Sequence, residues 1–209
     1  MLKMLLVIIA VFLLLVVVEY LWRVKKYRSE FTRKFIHITI GTFAAFWPWF
    51  LSWSQIELLA AAFFIVILAS RLLSIFGSIH IIGRKTIGEL LFAVSIGLTA
   101  FISHDRLIFA AAMLHMSLAD GLAATVGTQF GQKTSYSVLG QRKTLVGTIT
   151  FWLCSFVILG FYFAFSHVSG AWPALLWLPL GATLLENIGV RGSDNVLVPV
   201  AVAIVLRLM

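Results

Sequence analysis

The chain alternates long apolar runs with short polar joints from one end to the other. The runs cover approximately residues 2–22, 35–51, 56–74, 89–102, 107–126, 146–165, 172–188 and 196–208. A hydrocarbon layer about 30 Å thick takes roughly 20 residues of helix to cross. The pattern therefore predicts an all-α, polytopic membrane helix bundle of about eight spans, the fourth and eighth being short. The joints leave no room for a soluble insert, so a single integral membrane domain is expected over 1–209. Within it, the first span and a basic loop (1–30) lead into a helical bundle (31–209). The first run is longer than the ~7–15-residue core of a signal peptide and ends in "EYLWRVKKYR" instead of a small-residue cleavage site. It is read as a retained helix.

Composition excludes a water-soluble globule: 61% of residues are hydrophobic and 11% charged, where soluble domains carry about 25% charged residues. The net charge of +8 changes the picture only through its placement. Thirteen of the sixteen basic residues fall in alternate joints: Arg23, Lys25, Lys26, Arg28, Arg33 and Lys34, then Arg71, Arg84 and Lys85, then Lys133, Arg142 and Lys143, then Arg191. The other side keeps Lys3, Arg106 and Arg207. By the positive-inside rule both termini lie outside, and the basic joints are cytoplasmic. The same rule accounts for the charge without a nucleic-acid partner. Six of eight carboxylates follow the cations, leaving only Glu57 and Asp105 outside. Chemistry is thus expected at the cytoplasmic face. A transporter would place polar groups near the bilayer midplane, and here the middles of the runs are nearly free of them. Cys154, within an apolar run, reads as a small hydrophobe.

Four polar constellations stand at the cytoplasmic ends. In "TRKFIHITIG", Arg33, Lys34 and His37 share a helical face, with the imidazole one turn deeper. They read as an inside flank followed by an interfacial histidine, or, with the imidazole on the same stripe, as part of a functional site. In "GRKTIGELLF", Arg84 and Lys85 meet Glu89 at a helix start, where a carboxylate favours the helix dipole. In "LADGLAATVGTQFGQKT", Asp120 interrupts an apolar span about two turns from its end. An intramembrane carboxylate costs about 2.5–3.5 kcal/mol at a helix centre and usually marks a site, although small neighbours also allow a tight helix seam. The following "GTQFGQKT" fails as a nucleotide P-loop, because Gln132 stands where the last glycine belongs and no strand precedes it. Gly127, Gly131, Lys133, Lys143 and Thr144 nonetheless suit phosphate, with "KTLVGT" offering a helix N-terminus. In "ENIGVRGSDNVLVP", Glu186 ends one span, while Asp194 and Asn195 open the next as a cap or as a magnesium and phosphate site.

Taken in order, these segments resemble the polyprenol kinase family of membrane enzymes, which includes phytol kinase, dolichol kinase and CTP-dependent diacylglycerol kinase. Arg33, Lys34, His37 and Gly41 match "RKxxHxxxG", and Arg84, Thr86, Gly88, Glu89 and Phe92 match "RxSxGExxF". Asp120, Gly121, Ala123, Gly127, Gly131, Lys143, Thr144, Gly147 and Thr148 match the "DGxAxxxGxxxG…K[ST]xxGS" core. Glu186, Asp194, Asn195 and Pro199 match the late "ExxxxxxxDN…P" element. The match spans Arg33 to Pro199, and it departs in Ala119 before the core aspartate and in threonine at both hydroxyl positions.

The resemblance implies magnesium-dependent transfer of the γ-phosphoryl group of CTP, or of ATP, to the hydroxyl of a membrane lipid alcohol such as phytol, a polyprenol or diacylglycerol. Asp120, Glu89 and Asp194 are the candidates for metal binding and proton transfer, with Lys143 beside them. Arg33, Lys34, His37, Arg84, Lys85, Gly121, Gly127, Gly131, Lys133, Thr144 and Asn195 are candidates for the nucleotide and its phosphates. A CDP-lipid synthase, which also consumes CTP, and a non-enzymatic transporter or scaffold are the competing readings. The sequence points to an integral membrane of a bacterium or an organelle.

Overall fold

The computed structural model describes residues 2–25, 30–73, 87–166, 168 and 172–209, apart from the side chains of 18, 19, 21–25 and 30–33. Among the described residues eight helices follow one another: α1 Leu2–Lys25, α2 Glu30–Ala45, α3 Trp53–Leu73, α4 Gly88–Ile102, α5 Arg106–Phe130, α6 Leu145–Phe165, α7 Ala174–Ile188 and α8 Asp194–Leu208. Each coincides with one predicted apolar run. Three of them, α3, α5 and α6, are long and apolar enough to cross a membrane, and α4, α7 and the 2–17 part of α1 are shorter apolar helices. Their outward faces carry Leu58, Ile65 and Leu72 on α3 and Val157 and Phe161 on α6, all exposed. Apolar exposure on this scale marks a surface made to contact lipid or another protein.

Helix α5 is the axis of the bundle. Within its most apolar stretch 72% is buried, against 22% for α3 and 33% for α6. It divides the interior in two. On one side Phe151, Leu159, Val202 and Leu206 pack with Ala112 and Ala119, and on the other Trp47, Ile56 and Ile96 pack with Phe109, Met113 and Met116. Its partners are α2, α6 and α8, while α4 bridges α3 and α8.

Two local features differ from the sequence expectation, and a third adds to it. The second helix ends at Ala45 instead of 51, because Pro48 lacks an amide to continue it and the chain closes into a short 3-10 turn, Trp47–Trp49. Helix α5 runs on to Phe130, so Asp120 lies nearly three turns from its end rather than two, and a π turn, His115–Ala119, interrupts it. The polar joint between the fifth and sixth runs holds an antiparallel hairpin inserted in the all-α bundle. Strand β1 Ser135–Val138 pairs with β2 Gln141–Thr144 in the register Ser135↔Thr144 and Val138↔Gln141. The two-residue turn has φ of 48° at Leu139 and 76° at Gly140, the doubly left-handed turn that matches strand twist.

Candidate active site

The ends of α2, α4, α5, α6, α7 and α8 that face the basic joints, together with the hairpin, enclose a cavity of about 610 Å³. That is within the ~300–1,000 Å³ usual for small-molecule sites. Its wall on α5 is one helical stripe, Asp120, Ala123, Ala124, Gly127 and Thr128. At 1.5 Å per residue Asp120 sits about 15 Å below the end of α5, so the cavity is a shaft leading down to a carboxylate.

Three carboxylates meet there. Oxygens of Asp120, Glu186 and Asp194 all lie within 4.8 Å of one another. At an effective dielectric constant of ~20, two negative charges at that separation repel by about 3.5 kcal/mol, so the cluster requires cations. Two are built in. Lys34 Nζ donates to Asp120 Oδ2 at 2.6 Å, and Lys143 Nζ bonds both the carboxylate and, at 2.9 Å, the main-chain oxygen of Glu186. His37 Nε2 lies 3.6 Å from Asp120 Oδ2 and donates to Met116 O at 2.8 Å. Burial alone would lower the pKa of Lys143, but the Glu186 carboxylate more than offsets this and holds it above the ordinary lysine value. Asp194 makes no direct ion pair with a lysine among the described residues, although Lys143 and Lys34 are near enough to act on its charge. Burial, and then the neighbouring Asp120 carboxylate, hold it above the usual carboxylate range. An all-oxygen donor set of three carboxylates against two lysines suits a hard divalent cation such as magnesium, which binds through one or two carboxylates plus substrate phosphate.

Local sequence explains how these groups converge. The hairpin is pinned by the Tyr136 hydroxyl, which bonds Thr148 on α6 and Asn187 on α7. This fixes Lys143 in β2 above Glu186. Thr144 then caps α6, its hydroxyl accepting from Gly147 N at 3.0 Å. On the far side, residues 189–193 make a turn in which Arg191 and Gly192 have φ of 53° and 93°. A Cβ on Gly192 would lie 2.5 Å from Gly88 Cα, so only glycine lets this turn rest on the start of α4. That contact brings Asn195 Nδ2 within 2.9 Å of Gly88 O. Asp194 does not cap α8, since Ser193 is at the cap position, and its side chain joins the carboxylate cluster instead.

Of the residues singled out in the sequence, Lys34, His37, Asp120, Gly127, Lys143, Thr144, Asp194 and Asn195 line the cavity. Glu89, half-buried in the first turn of α4, is not in the carboxylate cluster; the third member is Glu186. Lys133 is exposed and outside the cavity. Gly121 and Gly131 do not line it either: Gly121 accommodates Ile38, and Gly131 accommodates Thr144. Arg84 and Lys85, and the side chain of Arg33, lie outside the described residues. Sequence reasoning placed Glu186 within a motif without giving it a role. The signal was there, since it is the single ionisable residue of an otherwise apolar helix. Arg142 and Arg191 also line the cavity.

A curated relative, a phytol kinase from a Synechocystis species, is 32% identical over 197 aligned residues, which cover 90% of this chain and 82% of the relative. No protein-family profile matches the chain, and no solved structure does. Similarity at this level over nearly the whole of both chains joins the ordered motifs and the site they build, and on these grounds the chain belongs to the polyprenol kinase family.

Proposed function

We propose that the protein transfers the γ-phosphoryl group of CTP to the hydroxyl of an isoprenoid alcohol of the phytol type, at the cytoplasmic face of a membrane that its eight helices cross with both termini outside. The observation that carries this reading is the cluster of Asp120, Glu186 and Asp194 held by Lys34 and Lys143 at the bottom of one cavity. The charge alternation of the joints supports the orientation. The relative, a phytol kinase, supports the acceptor.

Phosphoryl transfer asks the protein mainly for positioning and charge neutralisation. Asp120, Glu186 and Asp194 would hold magnesium, which when bound supplies positive charge to the transferring phosphoryl oxygens. Lys34 and Lys143 exchange a carboxylate for a phosphate oxygen as the triphosphate enters, and Arg142 and Arg191 at the mouth receive its outer phosphates. The alcohol oxygen forms a bond to the γ-phosphorus while the bond from that phosphorus to the β–γ bridging oxygen breaks. A carboxylate of the cluster, which we assign as Asp194, takes the hydroxyl proton, and the products are a lipid monophosphate and CDP. The lipid tail stays in the bilayer throughout.

The test uses purified protein in detergent with magnesium, a panel of lipid alcohols together with phosphatidic acid, and CTP labelled either at the γ-phosphate or in the base. γ-Label in a lipid monophosphate supports the kinase and identifies the acceptor. Base label in the lipid product would make the protein a CDP-lipid synthase. Movement of neither label with any alcohol or with phosphatidic acid would favour the non-enzymatic reading.

A further inference from the structure

His115 is fully buried in the middle of α5, and the proposed chemistry does not touch it. Both ring nitrogens are committed. Nδ1 lies 2.7 Å from Ala111 O, and a carbonyl only accepts, so Nδ1 carries a hydrogen. Nε2 lies 2.8 Å from Ser155 Oγ on α6, so in the neutral ring it accepts from the serine hydroxyl. The same residue opens the π turn: the Asp120 amide is shared between His115 O, five residues back, and Ser117 O, three back, instead of Met116 O. An unbroken α-helix would aim that amide at Met116 O, the carbonyl to which His37 donates from α2. The turn is thus held from two sides, by His115 and Ser155 toward α6 and by His37 toward α2.

The turn decides where Asp120 points. One extra residue advances everything after it by about 100° around the helix axis. With side-chain ends roughly 5–6 Å from that axis, the change in direction moves a carboxylate on the order of 8 Å. The cluster allows 4.8 Å between ligand atoms, so without the turn Asp120 leaves it. Ala123, Gly127 and Thr128 leave the cavity wall with it.

We infer that His115 and Ser155 form a positioning pair that locks the π turn of α5 and so delivers Asp120 to the carboxylate cluster. Neither residue contacts substrate. The inference rests on the kinase reading for one of its readouts only, because cation binding can be measured without turnover.

The experiment compares full-length wild type, Ser155→Ala, His115→Phe and Asp120→Asn in detergent. Mn²⁺ binding is followed by electron paramagnetic resonance of the free ion, transfer by kcat and KM, and folding by thermal unfolding. Ser155→Ala, which removes one hydroxyl, is the mild variant should His115→Phe fold poorly. The expected result for Ser155→Ala is Mn²⁺ binding weakened about 5- to 20-fold and kcat lowered about 10- to 100-fold, with the alcohol KM within about twofold and unfolding close to wild type. Wild-type Mn²⁺ binding in Ser155→Ala, with activity falling only as the folded fraction falls, would overturn the inference. If wild type transfers no phosphate but Ser155→Ala still weakens Mn²⁺ binding, the positioning role stands and the kinase reading fails. If wild type is an active kinase and Ser155→Ala matches it in both readouts, the positioning role fails alone.

Discussion

Replacing Gly147 by alanine tests how closely α5 and α6 must approach to form the cavity. A Cβ at Gly147 would lie 2.9 Å from Ala123 O and 3.0 Å from Thr144 Oγ1, with Gly127 Cα at 3.4 Å. The first of these is main chain and cannot rotate away. It falls about 0.5 Å short of the 3.4 Å at which such contacts become ordinary, so the seam has to open by roughly that amount. Overpacking of this kind costs about 1–3 kcal/mol. Alanine also favours the helix over glycine by up to about 1 kcal/mol, which would obscure the result in isolation. Gly160, on the same helix, has nothing within 4 Å of an added Cβ, so Gly160→Ala gains the propensity term alone. The prediction is that Gly147→Ala is less stable than Gly160→Ala by about 1–3 kcal/mol, measured by unfolding in mixed micelles. Its kcat should fall roughly tenfold or more, because Lys143 and Thr144 move with the start of α6 relative to Asp120. Gly147→Ala at least as stable as Gly160→Ala, with unchanged kcat, would refute the close-seam argument.

Other substitutions sort the charged residues. Lys143→Met leaves Glu186 buried without its ammonium and should lower kcat about 10²- to 10³-fold, whereas Lys133→Met, exposed and outside the cavity, should stay within about twofold. Glu186→Gln should cost at least tenfold more kcat than Glu89→Gln, because only Glu186 belongs to the cluster; equal losses would return the role to the start of α4. Chelation with EDTA should abolish transfer and added magnesium restore it, and full activity in excess EDTA would remove the metal from the account.

Much of the fold could be read from the chain because membrane helices are specified by length and polarity, and each apolar run is a helix. The ends were less legible. Pro48 shortened α2, an effect visible in the residue itself, but the extension of α5 to Phe130 depends on its packing against α6 through Gly127 and Gly147. The hairpin was hidden because its strands, "SYSV" and "QRKT", do not alternate apolar with polar and because its turn opens with Leu139, a residue rarely found at positive φ. What holds it is a tertiary contact, Tyr136 to Thr148 and Asn187. Within the site, Asp120, Lys143 and Asp194 were legible as charges out of place at the ends of apolar helices. Glu186 and Glu89 were equally visible, yet choosing between them needed the 189–193 turn, whose path depends on Gly192 resting against Gly88. The π turn left no signature in composition or spacing, since it inserts one residue into an unbroken apolar pattern.

The central claim is that the clustered carboxylates and lysines carry γ-phosphoryl transfer to a lipid alcohol. The most direct measurement is single-turnover transfer from γ-labelled CTP to phytol by purified wild type, beside Asp120→Asn, a variant of nearly the same size. The account predicts labelled phytyl monophosphate from wild type and a loss of about 10²-fold or more in the variant, with both proteins unfolding at similar temperatures. Labelled product formed at the wild-type rate by Asp120→Asn would contradict it.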